Sequence, residues 1–212
     1  MFDHHYVNWR TSRVEGIKKY IDLSFFKEKT MLEVGCGYAD LGNIFSEFSC
    51  SVTSTDARKE HLVEVNKRYP HINTYVLDCD KDKITTKYDI VLHWGVLYHL
   101  SNVEEHLKNV CEQTDYLLLE TEVSDTLDKD TIFKVDESGY DQAFNNVGCR
   151  PSEQYVEKIL SESNFDFKLI KDPIINSGYH VYDWDVSETK SWRNGLRRYW
   201  ICWKKDKENP LK

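Results

Sequence analysis

Residues 32–42 read LEVGCGYADLG, with Gly35 and Gly37 two apart behind a short apolar run and Glu33 just before them. Glycine permits a tight turn and lets a ligand approach the backbone. Two further carboxylates follow at comparable places. Asp56 closes SVTSTD, about 20 residues beyond the glycines, the spacing at which an acid reaches ribose hydroxyls. Asp78 closes NTYVLD, where an adenine would lie. Each acid alone reads equally well as a helix cap or a solvated turn, but three at successive strand ends read as one nucleoside site. Later, Tyr98 and His99 follow YDIVLHWGVL, and Glu120 and Glu122 close DYLLLETE. An imidazole suits proton transfer near neutral pH. The acids suit orientation of a hydroxyl or amine.

The elements that must position these residues alternate along the chain. TMLEVG is an apolar run ending in glycine, a buried strand. SVTSTD, NTYVLD, YDIVLHW, DYLLLET, FDFKLIKD and RRYWICWKK read as six more strands. Between them, Leu41, Ile44, Phe45 and Phe48 mark a helix, RKEHLVEVNKRY is a helix stopped by Pro70, and Tyr155, Val156, Ile159 and Leu160 share a helical face behind the cap Ser152. Ser12 with Glu15, and Ser101 with Glu104, form capping boxes that predict helices starting near Ser12 and after Ser101. This order predicts one α/β domain over residues 1–212, a mostly parallel seven-stranded sheet with helices on both faces and an antiparallel strand pair at the edge. Residues 122–150 and 173–195 lack clear periodicity and carry Tyr140, Phe144, Tyr179, Tyr182, Trp184 and Trp192. With residues 1–12 they are expected to cover a pocket.

Composition narrows the function classes. A net charge of −8 argues against a broad phosphate-gripping surface and leaves only a local basic stretch, WRNGLRRYW. No apolar run is long enough to span a membrane, and MFDHHYVNWR lacks a basic-then-apolar leader, so a cytoplasmic location is expected. The six cysteines are scattered without C-x-x-C spacing and read as free, mostly buried thiols. DHH at residues 3–5 lacks supporting acids, and no histidine pair has metalloprotease spacing, so no metal is expected.

The dinucleotide fingerprint G-x-G-x-x-G needs a third glycine beside the pyrophosphate. Here Asp40 holds that place, and with Glu33 it would repel a diphosphate. A cationic ligand bearing ribose and adenine suits the site better, and S-adenosyl-L-methionine has that chemistry. LEVGCGYADLG, TSTDAR, VLDCD and YDIVLHWGVLYHL resemble, in order, the motifs of class I S-adenosylmethionine-dependent methyltransferases over residues 30–120. The resemblance implies a Rossmann-like fold. It implies that Glu33, Gly35, Cys36 and Gly37 cradle the methionine part, that Asp56 binds the ribose with Ala57 beside the adenine, that Asp78 and Cys79 meet the adenine edge, and that His93, Trp94 and Gly95 line the sulfonium side. GVLYHL and LLLETEV are similar to the branch holding the tRNA wobble-uridine carboxymethyl-transferring enzymes. Those enzymes have a longer N-terminal region, so the likeness is read as one of fold rather than substrate.

Methyl transfer from a sulfonium is an in-line displacement that needs alignment and often a base. His99, Tyr98 and Glu120 are the candidate catalytic residues. The competing reading for His99 is packing or capping at the helix that follows it, and for Glu120 and Glu122 a solvated loop mouth. Arg10 and Arg13 begin a helix and would meet a ligand carboxylate if it folded over the pocket. The leading expectation is a methyltransferase, monomer or homodimer, acting on a small-molecule, sugar or glycan hydroxyl. The alternatives are an RNA base as acceptor, a nicotinamide oxidoreductase, and a non-catalytic nucleoside-binding module.

Overall fold

Apolar residues on both sides of a strand require cover on both faces of its sheet. The strand ahead of the glycines, β1 (Thr30–Val34), meets this condition. Met31 packs into one apolar cluster, while Leu32 and Val34 pack into another on the opposite face. The computed structural model of the chain describes residues 4–139 and 142–212, with backbone only at residues 4, 5, 193 and 194. Around β1 it places β2 (Ser51–Asp56), β3 (Asn73–Val76), β4 (Tyr88–Trp94) and β5 (Thr114–Ser124), all parallel. A hairpin of β6 (Ile132–Asp136) and β7 (Val147–Pro151) stands apart from the sheet. The last strands are β8 (Phe165–Leu169) and β9 (Trp192–Lys204). β9 runs antiparallel between β5 and β8, giving seven strands in the order β3-β2-β1-β4-β5-β9-β8.

The first face is covered by α1 (His4–Tyr20), α2 (Asp40–Glu47) and α3 (Lys59–Arg68), whose Ile17, Phe45 and Val65 join Met31, Leu92 and Tyr199. The second is covered by α4 (Val103–Glu112) and α5 (Glu153–Glu162), whose Leu107 and Ile159 join Leu32, Val91 and Trp200. The strand order reverses between β1 and β4, which opens a crevice at their carboxyl ends.

Three local expectations are corrected. Helix α1 begins well before Ser12, because Trp9, Val14 and Ile17 are buried along one continuous helix, and Glu15 pairs with Lys18 instead of closing a box. Ser101 does not cap α4. Asn102 holds the N-cap place without a side-chain cap bond, Asp80 accepts the Ser101 and Asn102 N–H groups just ahead of the helix at 2.8 and 3.0 Å, and Glu104 pairs with Lys108. Residues 122–150 are not irregular: they hold the end of β5 and the β6–β7 hairpin. Ser152 caps α5 as expected, accepting the Tyr155 N–H at 2.9 Å.

Candidate functional site

A hollow sits over the carboxyl ends of β1, β2 and β4, and Glu33, Gly35, Asp56 and Asp78 all line it. The turn after β1 needs its glycines. Gly35 and Gly37 have φ of +63° and +54°, and a Cβ on Gly35 would lie 2.4 Å from Val96 Cγ2. Gly37 is not among the residues that line the hollow, and its N–H donates to Asp56 Oδ2 at 3.0 Å. The other Asp56 oxygen accepts the Arg58 N–H at 2.8 Å, so one carboxylate ties together the turns after β1 and β2. Oδ2 also lies 3.3 Å from His61 Nδ1 on α3, which leaves Oδ1 the less crowded acceptor. Asp78 accepts from Lys81 at 3.0 Å and from Asn145 at 3.2 Å.

Glu33 lies deeper. Its Oε2 accepts the Ser54 hydroxyl at 2.5 Å, and the Gly42 backbone N–H supports the same carboxyl. Burial nevertheless pushes the group up to about 7, against the pull of those two hydrogen bonds. A cation arriving at this position would therefore find a carboxyl able to ionise in response. Cys36, Ala57 and Cys79 complete this wall. Burial raises the thiols of Cys36 and Cys79, which removes them as nucleophiles at neutral pH.

Trp94 and Gly95 line the hollow after β4, but His93 does not. Strand alternation turns His93 to the opposite face, where its Nε2 lies 2.9 Å from Nε2 of His106 on α4. Burial holds both imidazoles neutral, lowering His106 to about 4 and His93 well below its ordinary value. Glu120 is also absent from the lining. It is fully buried, and its oxygens accept from Arg197 at 3.0 Å and Arg13 at 3.4 Å, so it is not available to orient an acceptor. Glu122 is held by Arg197 at 2.9 Å and Arg150 at 2.5 Å.

Tyr98 and His99 both line the hollow, on a short helical turn after β4. Arg197 donates to the Tyr98 hydroxyl at 3.1 Å, and the guanidinium groups of Arg197 and Arg150 lie 4.6 and 5.0 Å from its ring centre. Burial pushes the Tyr98 phenol up to about 12, so it stays protonated at neutral pH and acts as a hydrogen-bonding group rather than a base. His99 Nδ1 abuts Glu137 Oε2, and Glu137 in turn accepts from Arg150 at 2.7 Å. A continuous chain of alternating charges results, Arg13, Glu120, Arg197, Glu122, Arg150 and Glu137, and it ends against the His99 ring. Sequence reasoning missed Arg150, Glu137 and Arg197. For Arg197 a signal existed, since alternation in RRYWICW puts it on the same face as the apolar Tyr199 and Ile201.

The covers are unequal. Helix α1 contributes Tyr6, Trp9, Arg10 and Arg13 to the lining, with Arg10 paired to Asp40 at 3.1 Å. The hairpin contributes Gln142, Phe144 and Asn145, and Arg58 donates to the Gln142 carbonyl at 2.9 Å. Among the described residues of 173–195, none lines the hollow. They brace its supports instead: Tyr182 accepts from Trp9 at 2.6 Å and Trp184 donates to the Arg197 carbonyl at 3.1 Å. Tyr140 lies outside the described residues, as does Asp3 of the DHH run, whose two histidines are described in backbone only. Among the described residues no group of three or more His, Cys, Asp or Glu side chains is placed to hold a metal.

The donor set can be tested against the implied methyl donor. Arg13 and Trp94 line the hollow together with Glu33, Asp56 and Asp78, and their Nε and Nε1 atoms are buried without a hydrogen-bond partner among the described residues. Unspent donors and acids around one hollow fit a ligand that carries a carboxylate, a cation and ribose hydroxyls together.

A parallel sheet with a glycine turn and acids at three successive strand ends is the arrangement of the class I methyltransferase fold. A family model described as a methyltransferase domain matches residues 6–168, and the chain belongs to that family. A tRNA U34 carboxymethyltransferase of Ruthia magnifica subsp. Calyptogena magnifica is 30% identical over 131 residues, 58% of this chain and 40% of that protein. Putative methyltransferase 235L of Invertebrate iridescent virus 6 is 25% identical over 115 residues, 51% of this chain and 43% of that protein. The chain thus spans less than half the length of these curated relatives. Among solved structures, the N-terminal domain of EvdMO1, determined in the presence of SAH and D-fucose, superposes with a TM-score of 0.67 at 13% identity, covering 95% of this chain and 84% of that one. A putative S-adenosylmethionine dependent methyltransferase from Listeria monocytogenes superposes with a TM-score of 0.64 at 16% identity, covering 92% and 99%. These likenesses establish the fold.

Proposed function

We propose that the chain is an S-adenosylmethionine-dependent methyltransferase that methylates a hydroxyl of a small molecule, sugar or glycan. The observation that carries the reading is the convergence of Glu33, Asp56 and Asp78 on one hollow, with the acid Asp40 standing where a diphosphate-binding turn has its third glycine. In this reading Asp56 accepts the ribose hydroxyls, Asp78 and Cys79 border the adenine, and Ala57 packs beside it. Glu33 balances the cationic end, while Arg13 and Trp94 donate to the carboxylate end. When bound, S-adenosylmethionine supplies the methyl group, its sulfur departing as a neutral thioether. The chain's own contribution is alignment and proton removal. His99 takes the acceptor proton. Tyr98 borders the acceptor, its hydroxyl fixed by Arg197.

A hydroxyl acceptor is favoured because the His99 imidazole lines the hollow where a proton must leave, and because Tyr6 and Phe144 also line it, aromatic faces packing well on a sugar. The EvdMO1 domain determined with D-fucose agrees with that acceptor class. The tRNA-modifying relative supports a second reading, an RNA base, against which the net charge of −8 weighs.

Calorimetric titration with S-adenosylmethionine, S-adenosylhomocysteine and NAD tests the donor. The first two are expected to bind, and binding of NAD alone would overturn the reading. Screening hydroxylated sugars and short RNAs as acceptors, with radiolabelled donor, separates the two acceptor classes.

A further inference from the structure

Two imidazoles line the hollow, His61 beside Asp56 and His99 on the turn after β4, and what His99 can do depends on which nitrogen carries the proton. Glu137 settles that. It follows β6 directly, is 5% exposed, and sets Oε2 against His99 Nδ1 while Oε1 accepts Arg150 Nη2 at 2.7 Å. Arg150 is itself anchored, donating to the Cys149 carbonyl at 2.8 Å and pairing with Glu122 at 2.5 Å. The bonds from His99 and Arg150 hold the Glu137 carboxyl below its ordinary range despite burial. An ionised carboxylate only accepts hydrogen bonds, so the His99 nitrogen facing it must bear hydrogen.

The seat of Glu137 is built into β7. A Cβ on Gly148 would lie 2.7 Å from Glu137 Cδ and 2.5 Å from the Tyr98 carbonyl oxygen. Only a residue without a side chain lets the carboxylate come up against the Tyr98–His99 turn.

We propose that Glu137 is a positioning residue that fixes His99 as its Nδ1–H tautomer and leaves Nε2 as the proton acceptor of the reaction. The proposal deepens the methyl-transfer reading and, for its catalytic part, rests on it. The acceptor hydroxyl's proton passes to Nε2, the imidazole becomes imidazolium, and the Glu137 charge offsets it. Arg150 keeps Glu137 from taking that proton itself, because a guanidinium on its other oxygen favours the ionised form.

The test combines a measurement on the ligand-free chain with kinetics. Long-range 1H–15N spectra of the 15N-histidine-labelled full chain are expected to show His99 with hydrogen on Nδ1 and a bare Nε2. Glu137→Gln, which keeps the shape but removes the charge, is expected to mix the tautomers. It should lower kcat by about 100-fold while leaving the KM for S-adenosylmethionine unchanged. Added to His99→Ala, it should cause no further loss, because Glu137 acts only through that ring. An Nε2–H tautomer in the unsubstituted chain, or one unaltered by Glu137→Gln, would overturn the assignment. So would losses that multiply in the double variant. The spectrum of the unsubstituted chain stands even if Glu137→Gln misfolds. Absence of S-adenosylmethionine binding would sink the methyl-transfer reading, and with it the catalytic role, while leaving the tautomer result intact.

Discussion

Asp56 joins two turns and lines the hollow, so its removal acts on structure and binding together. Asp56→Ala is expected to weaken S-adenosylmethionine at least about 10-fold, or about 1.4 kcal/mol, by calorimetry. Retained affinity would refute the ribose assignment. His99→Ala is expected to cost about 10²–10⁴-fold in kcat with donor affinity unchanged. Glu33 gives a prediction with a sign. Its folded value near 7 lies above the ordinary carboxyl, so the ligand-free chain binds this proton more tightly folded than unfolded. Stability from this group is full below about 4.5 and is lost as pH rises through about 7. Glu33→Gln should therefore raise the thermal midpoint of the ligand-free chain at pH 8 while weakening donor binding. A lower midpoint at pH 8 would contradict the burial argument.

At the scale of elements, β4 and α4 are joined by two neutral buried imidazoles, His93 and His106. Both are lowered by burial, His106 to about 4, so the unfolded chain binds these protons first as pH falls. Stability is present above about 6.5 and declines between there and about 4, by about 3 kcal/mol for His106 alone. Urea midpoints at pH 7 and pH 5 check this, and a His106→Gln variant should flatten the difference. The elements were legible in the sequence where period and burial coincide. All seven strands of the sheet and α2, α3 and α5 follow from apolar runs and alternation. The hairpin was not legible, because IFKVD is short and half exposed and VGCRP carries Gly and Pro. Its pairing is settled by contacts with the Leu97–His99 turn rather than by its own pattern. The candidate site divides the same way. Its acids stand at strand ends and were readable. Glu120 and His93 were misplaced because a residue at a strand end faces the pocket or the far side according to register, and nearby arginines decide which charge is spent.

Across the whole molecule, one sheet carries both apolar clusters, with Trp94 in one and Trp200 in the other. A single cooperative transition is therefore expected, with tryptophan fluorescence and far-ultraviolet circular dichroism coinciding in urea. Separate transitions would show that the two faces fold independently. The charge chain from Arg13 to His99 draws on α1, β5, β9, β7 and the residue after β6, and so exists only when all of them are docked. The place of β9 between β5 and β8 also orders events during synthesis. Both of its neighbours precede it in the chain, so β8 cannot join the sheet until Trp192–Lys204 is in place between them. The same late segment brings Arg197 to Glu120 and Glu122, so the joining of β8 to the sheet and the completion of the buried ion pairs depend on one strand.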